Sequence, residues 1–348
     1  MTSTELRTSN RMVWVDIAKG FAIILVVYRH ILIGIERSGI DVGDYIILAD
    51  ITHSFRMPLF FILSGVFVRF SLLKRTNQAF ISSKLKSLIY PYLIWTTLQI
   101  SVQWVFRDYI NAHRTYLDYL YIFINPRAID QFWFIYALFN VAVVYLLFFR
   151  LFKGNKLALL LLGCIFLFAS QFIHTPVIED VLMFFIYVAI GDIVSSFLLD
   201  ERNYQLFASP KIMLLATALF AITQWLYFRH EVYDPFLLAL IAITGCLFTF
   251  CIAFALRNSK YIIPIQIAGY HSMYIYLMHV LVSAPIRIVL VRFMQVDDPG
   301  VLVLISTIAA TIIPVVFYKI TYGNGWWFLF TPKRPKATTV SSPTLTKV

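Results

Sequence analysis

Runs of about twenty apolar residues, separated by short polar connections, recur from end to end of this chain. A run of that length crosses a bilayer as an α-helix. The pattern predicts ten spans, at about 12–35, 45–69, 85–106, 132–150, 157–175, 177–198, 210–228, 236–256, 264–291 and 301–322. The expected fold class is therefore all-α, a polytopic bundle of transmembrane helices. It divides into an N-terminal segment 1–11, a membrane domain 12–322 and a tail 323–348, Pro/Ser/Thr/Lys-rich beyond Pro332 and expected to be disordered. The connection QFIHTPVIED between the fifth and sixth spans is so short that these two must form a tight hairpin.

The first run, WVDIAKGFAIILVVYRH from Trp14 to His30, breaks the pattern because it carries Asp16, Lys19 and His30. Charges in hydrocarbon cost about 2.5–3.5 kcal/mol each on insertion scales, and they are usually functional where they occur. At about 100° per residue, the step from Lys19 to His30 turns through about 1100°, within about 20° of whole turns. Both side chains thus share one face, about 16 Å apart along the axis. Asp16, three residues before Lys19, falls near the same stripe. A polar seam runs through a membrane helix.

Composition supports the membrane reading and narrows the function. The 348 residues are 60% hydrophobic and 14% charged, against about 45–50% and about 25% in soluble proteins. No long polar stretch marks a separate soluble domain. The net charge of +11 sits in short loops rather than on one basic module, so no nucleic-acid partner is expected. Cys164, Cys246 and Cys251 lie within apolar runs with no metal-like spacing, and no metal site or disulfide is expected. The first run lacks a small-residue cleavage site, so it is expected to remain as a span.

Loop charges orient the chain. Lysine and arginine collect in alternate connections, among them Arg7 and Arg11, then Arg69, Lys74, Arg75, Lys84 and Lys86, then Arg150, Lys153 and Lys156. The opposite connections contain no lysine, and their first member carries Glu36, Asp41 and Asp44. The positive-inside rule then predicts both termini in the cytoplasm. The largest external connection, about 107–131, mixes tyrosines with Asp118 and Asp130. That mixture suits sugar recognition and equally suits a membrane interface.

Candidate chemistry concentrates on the seam and the runs that follow. His30 falls in the outer half of the first span. In DITHSFRMPLFFILSG, His53 and Arg56 are one turn apart and reach a similar depth, with Pro58 expected to kink the helix just below them. Ser64-Gly65 permits close helix contact. In the ninth span, Gly269, Ser272, Tyr276 and His279 share one helical face, which serves either a substrate or helix packing. Trp133 sits in QFWF at the outer start of the fourth span, and Asp192 is expected to pair with a loop lysine. Lys84 and Lys86 offer phosphate contacts on the cytoplasmic side, or simply obey the positive-inside rule. A histidine is a competent general base because its ordinary pKa lies near neutrality.

These motifs resemble the acyltransferase-3 family of integral membrane acyltransferases over about residues 11–322. DIAKG looks most like the fucose 4-O-acetylase-like branch. Lys19 and His30 satisfy the family's first-span pattern of a basic residue, ten residues, then histidine. HSFRMPLFFILSG resembles its second-span signature, QFWFIYALF its tryptophan-bearing fourth span, and GYHSMYIYLMH a late motif ending at His279. SSKLKSLIYPY departs from the Arg-x-x-Arg element that family members often carry before the third span, since lysine lacks the bidentate fork. The appended esterase-like domain of some members is not expected either.

The resemblance implies a multi-pass protein of the bacterial inner membrane. It implies transfer of an acyl group, usually acetyl, from cytoplasmic acetyl-CoA to a sugar hydroxyl of an envelope or exported polysaccharide. Acyl-CoA is then a co-substrate, with no resident cofactor. Under that reading His30 is general base or acyl relay, Lys19 orients the donor with Asp16 as partner, and His53 and Arg56 complete the catalytic group. Lys84 and Lys86 hold the donor, while Trp133, Ser272, Tyr276 and His279 contact substrate. A transporter or flippase for a glycolipid or acylated sugar is the alternative, since buried charges also mark translocation routes. No inverted repeat or matched pair of broken helices is evident in the sequence. Oligomeric state is not legible.

Overall fold

In the computed structural model, residues 12–107, 114–229 and 234–332 are described. The segment 1–11 and the tail beyond 332, on which expectations of disorder and terminal charge were placed, lie outside them. Every described element is helical, with no strand. Among the described residues, eight helices are long and apolar enough to cross a membrane: Val13–Glu36, Tyr45–Lys74, Asp130–Leu151, Pro176–Leu198, Pro210–Arg229, Pro235–Leu256, Ser272–Phe293 and Pro299–Gly323. The other two expected spans correspond to the 16-residue helix Tyr90–Val105 and the 14-residue helix Lys156–Ala169.

The elements are α1 (Val13–Glu36), α2 (Tyr45–His53), α3 (Arg56–Lys74), α4 (Asn77–Lys84), α5 (Tyr90–Val105), α6 (Asp118–Ile124) and α7 (Trp133–Leu151). They continue as α8 (Lys156–Ala169), α9 (Pro176–Leu198), α10 (Tyr204–Phe207), α11 (Pro210–Arg229), α12 (Pro235–Leu256), α13 (Ile263–Tyr270), α14 (Ser272–Ile288) and α15 (Pro299–Gly323). A π-helical segment, Leu85–Ile89, joins α4 to α5. The seam helix α1 is the hub, packing against α2, α3, α12, α13, α14 and α15. A second group gathers on α9, which meets α3, α7 and α8.

Two expected spans are interrupted, each for a visible reason. The second breaks at Ser54–Phe55, between α2 and α3. Pro58 has no N–H for the Ser54 carbonyl four residues back, and its ring crowds that carbonyl. The new helix restarts with Leu59 N–H donating to the Phe55 carbonyl (2.9 Å). The distortion therefore falls above Pro58, between His53 and Arg56, rather than below them as the sequence led us to expect. The ninth breaks at His271, whose Nδ1 lies 2.9 Å from the Ile267 carbonyl. The ring thereby shares the carbonyl to which the His271 backbone N–H also donates. Consequently Gly269 belongs to α13, while Ser272, Tyr276 and His279 belong to α14.

Small residues set the two tightest helix contacts. Gly20 lies against the Ile265 carbonyl and Gly269 against the Asp16 carbonyl, locking α1 to α13 backbone to backbone. Gly65 meets the Val188 carbonyl and Gly191 the Ile62 carbonyl, which does the same for α3 and α9. Lipid gives helices no hydrophobic drive to associate, so close packing of this kind carries the assembly. Polar clamps reinforce it. Asp192 has no exposed surface and accepts from Arg69 Nε (2.7 Å), Arg69 Nη2 (2.7 Å) and Tyr145 Oη (2.7 Å). The partner is an arginine of the second span, not the loop lysine expected.

Gly269→Ala sets a methyl group against the Asp16 carbonyl and is expected to cost about 1–3 kcal/mol, the usual penalty for overpacking. Gly323→Ala enters open space and leaves stability unchanged. Thermal unfolding of the detergent-purified chain checks both; equal melting of the two variants contradicts the proposed contact.

Candidate functional site

The faces of α1, α3, α4, α7 and α14 enclose a cavity of about 310 Å³. Small-molecule pockets run from about 300 to 1,000 Å³, so this one suits a narrow ligand. Its walls are mostly aliphatic and aromatic, but Lys19, Lys84, Ser64, Ser71, Ser272 and Tyr276 bring polar atoms to it. Lys19 and Lys84 lie within electrostatic reach of each other. Two ammonium groups lining one small apolar cavity favour an anionic or strongly polar occupant.

Lys84 and Lys86, paired by the sequence reading, separate here. Two helical residues differ by about 200° of rotation. Lys84 turns inward, and Lys86 is exposed and does not line the cavity. The aromatic run QFWF divides likewise. Phe134 lines the cavity, while Trp133 sits beneath the Arg127 guanidinium (4.2 Å to the ring centre). Arg127 also donates from Nε to Asp180 (2.8 Å). Trp133 is thus engaged by a neighbouring ion pair.

From Tyr276 the site continues along α14. The Tyr276 and His279 ring centres are 6.0 Å apart, and those of His279 and His30 are 5.1 Å apart. The seam histidine therefore meets a second histidine from the far end of the sequence. His279 is fully buried, and its Nδ1 lies 2.9 Å from the Tyr276 carbonyl and 3.1 Å from the Ile275 carbonyl. Two carbonyl acceptors hold the ring proton on Nδ1, which leaves the lone pair on Nε2. That Nε2 has no hydrogen-bond partner among the described residues. A buried group of this kind calls for an explanation.

Arg56 is 9% exposed and within electrostatic reach of His30; its Nη1 donates to the Ala49 carbonyl at 3.3 Å. His53 closes α2 on the other side of the break and is exposed. The two are therefore not successive turns of one helix, and Arg56 is the member turned toward His30. Asp16 is buried at the Gly269 contact, away from the cavity lining, and it takes part in an interaction of its own. Ser272 and Tyr276 line the cavity as the shared-face reading anticipated.

The carboxylates of the large connection are largely committed. Arg114 donates to Asp130 (2.7 Å), to the Gln103 side chain (2.8 Å) and to the Ala128 carbonyl (2.8 Å), with Asp118 at 3.8 Å. Sequence reasoning missed this clasp, in which Asp130 is held at a positive φ (46°).

Nodulation protein NolL of Mesorhizobium japonicum is 27% identical over 132 residues. That match spans 38% of this chain and 34% of the relative, about a third of the relative's length. No solved structure matches. The family described as acyltransferase domain matches residues 12–319, a span that takes in the cavity, the seam and both histidines, and the chain belongs to that family.

Proposed function

We propose that this protein is a membrane O-acyltransferase. It moves an acyl group, acetyl first among them, from cytoplasmic acyl-CoA to a sugar hydroxyl of a cell-envelope or exported polysaccharide at the inner membrane. The observation that carries the reading is the continuity of the site. The cavity holding Lys19 and Lys84 is lined by Tyr276, whose ring neighbours His279, which in turn meets His30.

With the Lys84 end facing the cytoplasm, as the loop charges imply, the cavity takes the acyl-pantetheine arm of the donor while the nucleotide stays outside. Lys84 meets the donor's anionic portion, and Lys19 meets its polar arm further in. The acceptor hydroxyl approaches from the other end. His30, assisted by the oriented His279, removes the hydroxyl proton as the oxygen attacks the thioester carbonyl. Arg56 stabilises the negative charge on that carbonyl oxygen. The carbon–sulfur bond then breaks, and the CoA thiolate takes up the proton that the histidine received. A covalent acyl-histidine relay uses the same groups in two steps.

A transporter for a glycolipid or acylated sugar is the second reading, favoured by the breaks at Ser54–Phe55 and His271. Ester formation by the purified protein decides between them. A general base contributes about 10²–10⁴-fold, so His30→Ala is expected to lower acetyl transfer by at least about 100-fold while the variant still binds acetyl-CoA. Full transfer by His30→Ala removes the histidine mechanism, and glycolipid movement without ester formation supports the transporter.

The two lysines give a sharper test of the donor end. A hydrogen bond to a charged group is worth about 1.5–3 kcal/mol, and about 1.4 kcal/mol is tenfold in affinity. Lys84→Ala is therefore expected to raise the donor KM about tenfold, and Lys86→Ala to leave it unchanged. Equal effects in both variants indicate general surface charge instead.

A further inference from the structure

The histidine end of the site is crowded with arginines to an extent that the transfer chemistry does not require. Arg29, Arg37 and Arg56 all lie within electrostatic reach of His30. Arg287 lies within reach of Arg37, and its guanidinium is pressed against Gly34 of α1. Four guanidinium groups thus converge from α1, its C-terminal end, α3 and α14. A thioester oxyanion develops a single negative charge, which Arg56 alone can meet.

Arg37 has partners of its own, and the excess of positive charge lies with Arg29, Arg56 and Arg287. Asp50 faces Arg56 and His53. Asp130 sits 3.8 Å from Arg37 and is already clasped by Arg114 at 2.7 Å. Arg29 Nη1 is buried with no hydrogen-bond partner among the described residues. Arg56, nine-tenths buried, spends one long hydrogen bond on the Ala49 carbonyl. Beside His30 lies the fully buried His279, whose Nε2 has no hydrogen-bond partner among the described residues. Buried cations without counterions are costly, and a bound anion removes that cost.

Lipid phosphates do not account for the arrangement. Arginines that reach for headgroups extend along the outside of a bundle. Here Arg56 is enclosed by its neighbours, Arg29 Nη1 is shielded, and Arg287 lies across a glycine of the central helix.

We infer that the acceptor is an acidic glycan, carrying a carboxylate or phosphoryl group close to the hydroxyl that is acylated. Arg29 and Arg287 hold that group, Arg56 is left for the oxyanion, and the histidine pair faces the hydroxyl. This rests on the transferase reading above and names the substrate class of the same site. A planar carboxylate or a phosphoryl group matches the forked donors of arginine better than a neutral hydroxyl does.

The test uses membranes of the host cell with and without the full chain, incubated with [acetyl-14C]CoA. Glycan is freed of lipid and passed over an anion exchanger, and His30→Ala membranes define background. The inference predicts that the His30-dependent label is retained on the exchanger. Amidation of carboxyl groups before loading then separates the two anion sources: lost retention assigns a carboxylate, and surviving retention assigns a phosphoryl group. Arg29→Gln is expected to cut the retained label at least fivefold, with Arg29→Lys keeping more of it than the glutamine variant. His30-dependent label that runs through with neutral glycan overturns the inference and leaves the transferase reading standing. An absence of His30-dependent label overturns the transferase reading, and the inference with it.

Discussion

Charged and polar groups on a membrane helix have to be walled off from hydrocarbon, and α1 imposes that requirement on the whole bundle. Asp16 is 2% exposed and Lys19 half-buried, on a helix that six others surround. The glycine contacts explain how the enclosure is reached. Only residues without a Cβ let α13 come close enough to cover the Asp16–Gly20 turn. Once α13 is pinned there, α14 follows the break at His271 and passes the other end of α1. Tyr276 and His279 then lie beside the His30 half of the seam. The placement of His279 beside His30 thus depends on packing at Gly20 and Gly269, more than two helical turns away.

Much of this was legible in the chain, and what was missed has identifiable causes. Many helix starts were readable because a proline opens the apolar run, as at Pro176, Pro235 and Pro299. The shared face of Lys19 and His30 followed from helical rotation alone, and so did that of Ser272, Tyr276 and His279. Local rules failed where a side chain competes with the backbone. Pro58 was legible as a disruptor, but the carbonyl it strands lies four residues earlier, so the break falls between His53 and Arg56. His271 gave no comparable signal, because a histidine that takes its own helix's carbonyl is indistinguishable in sequence from one that does not.

Long-range pairs were beyond reach for a different reason. Arg69 and Asp192 are 123 residues apart, and nothing local distinguishes that arginine from the loop charges around it. The convergence of Arg29, Arg56 and Arg287 has the same origin, since each looks like an isolated basic residue until α1, α3 and α14 are placed together. The meeting of His30 with His279 was half legible. Both residues were singled out, yet only the fold makes them neighbours.

The central claim is that one route joins the Lys19–Lys84 cavity to the His30–His279 pair. An experimental structure of the full chain bound to a non-hydrolysable acetyl-CoA analogue, in which the thioester sulfur is replaced by a methylene group, tests it most directly. The account predicts the pantetheine arm in the cavity beside Lys84 and Lys19, with the acyl carbonyl past Tyr276 and within hydrogen-bond reach of a histidine of the pair. A donor bound elsewhere, or one whose acyl group points away from both histidines, contradicts it.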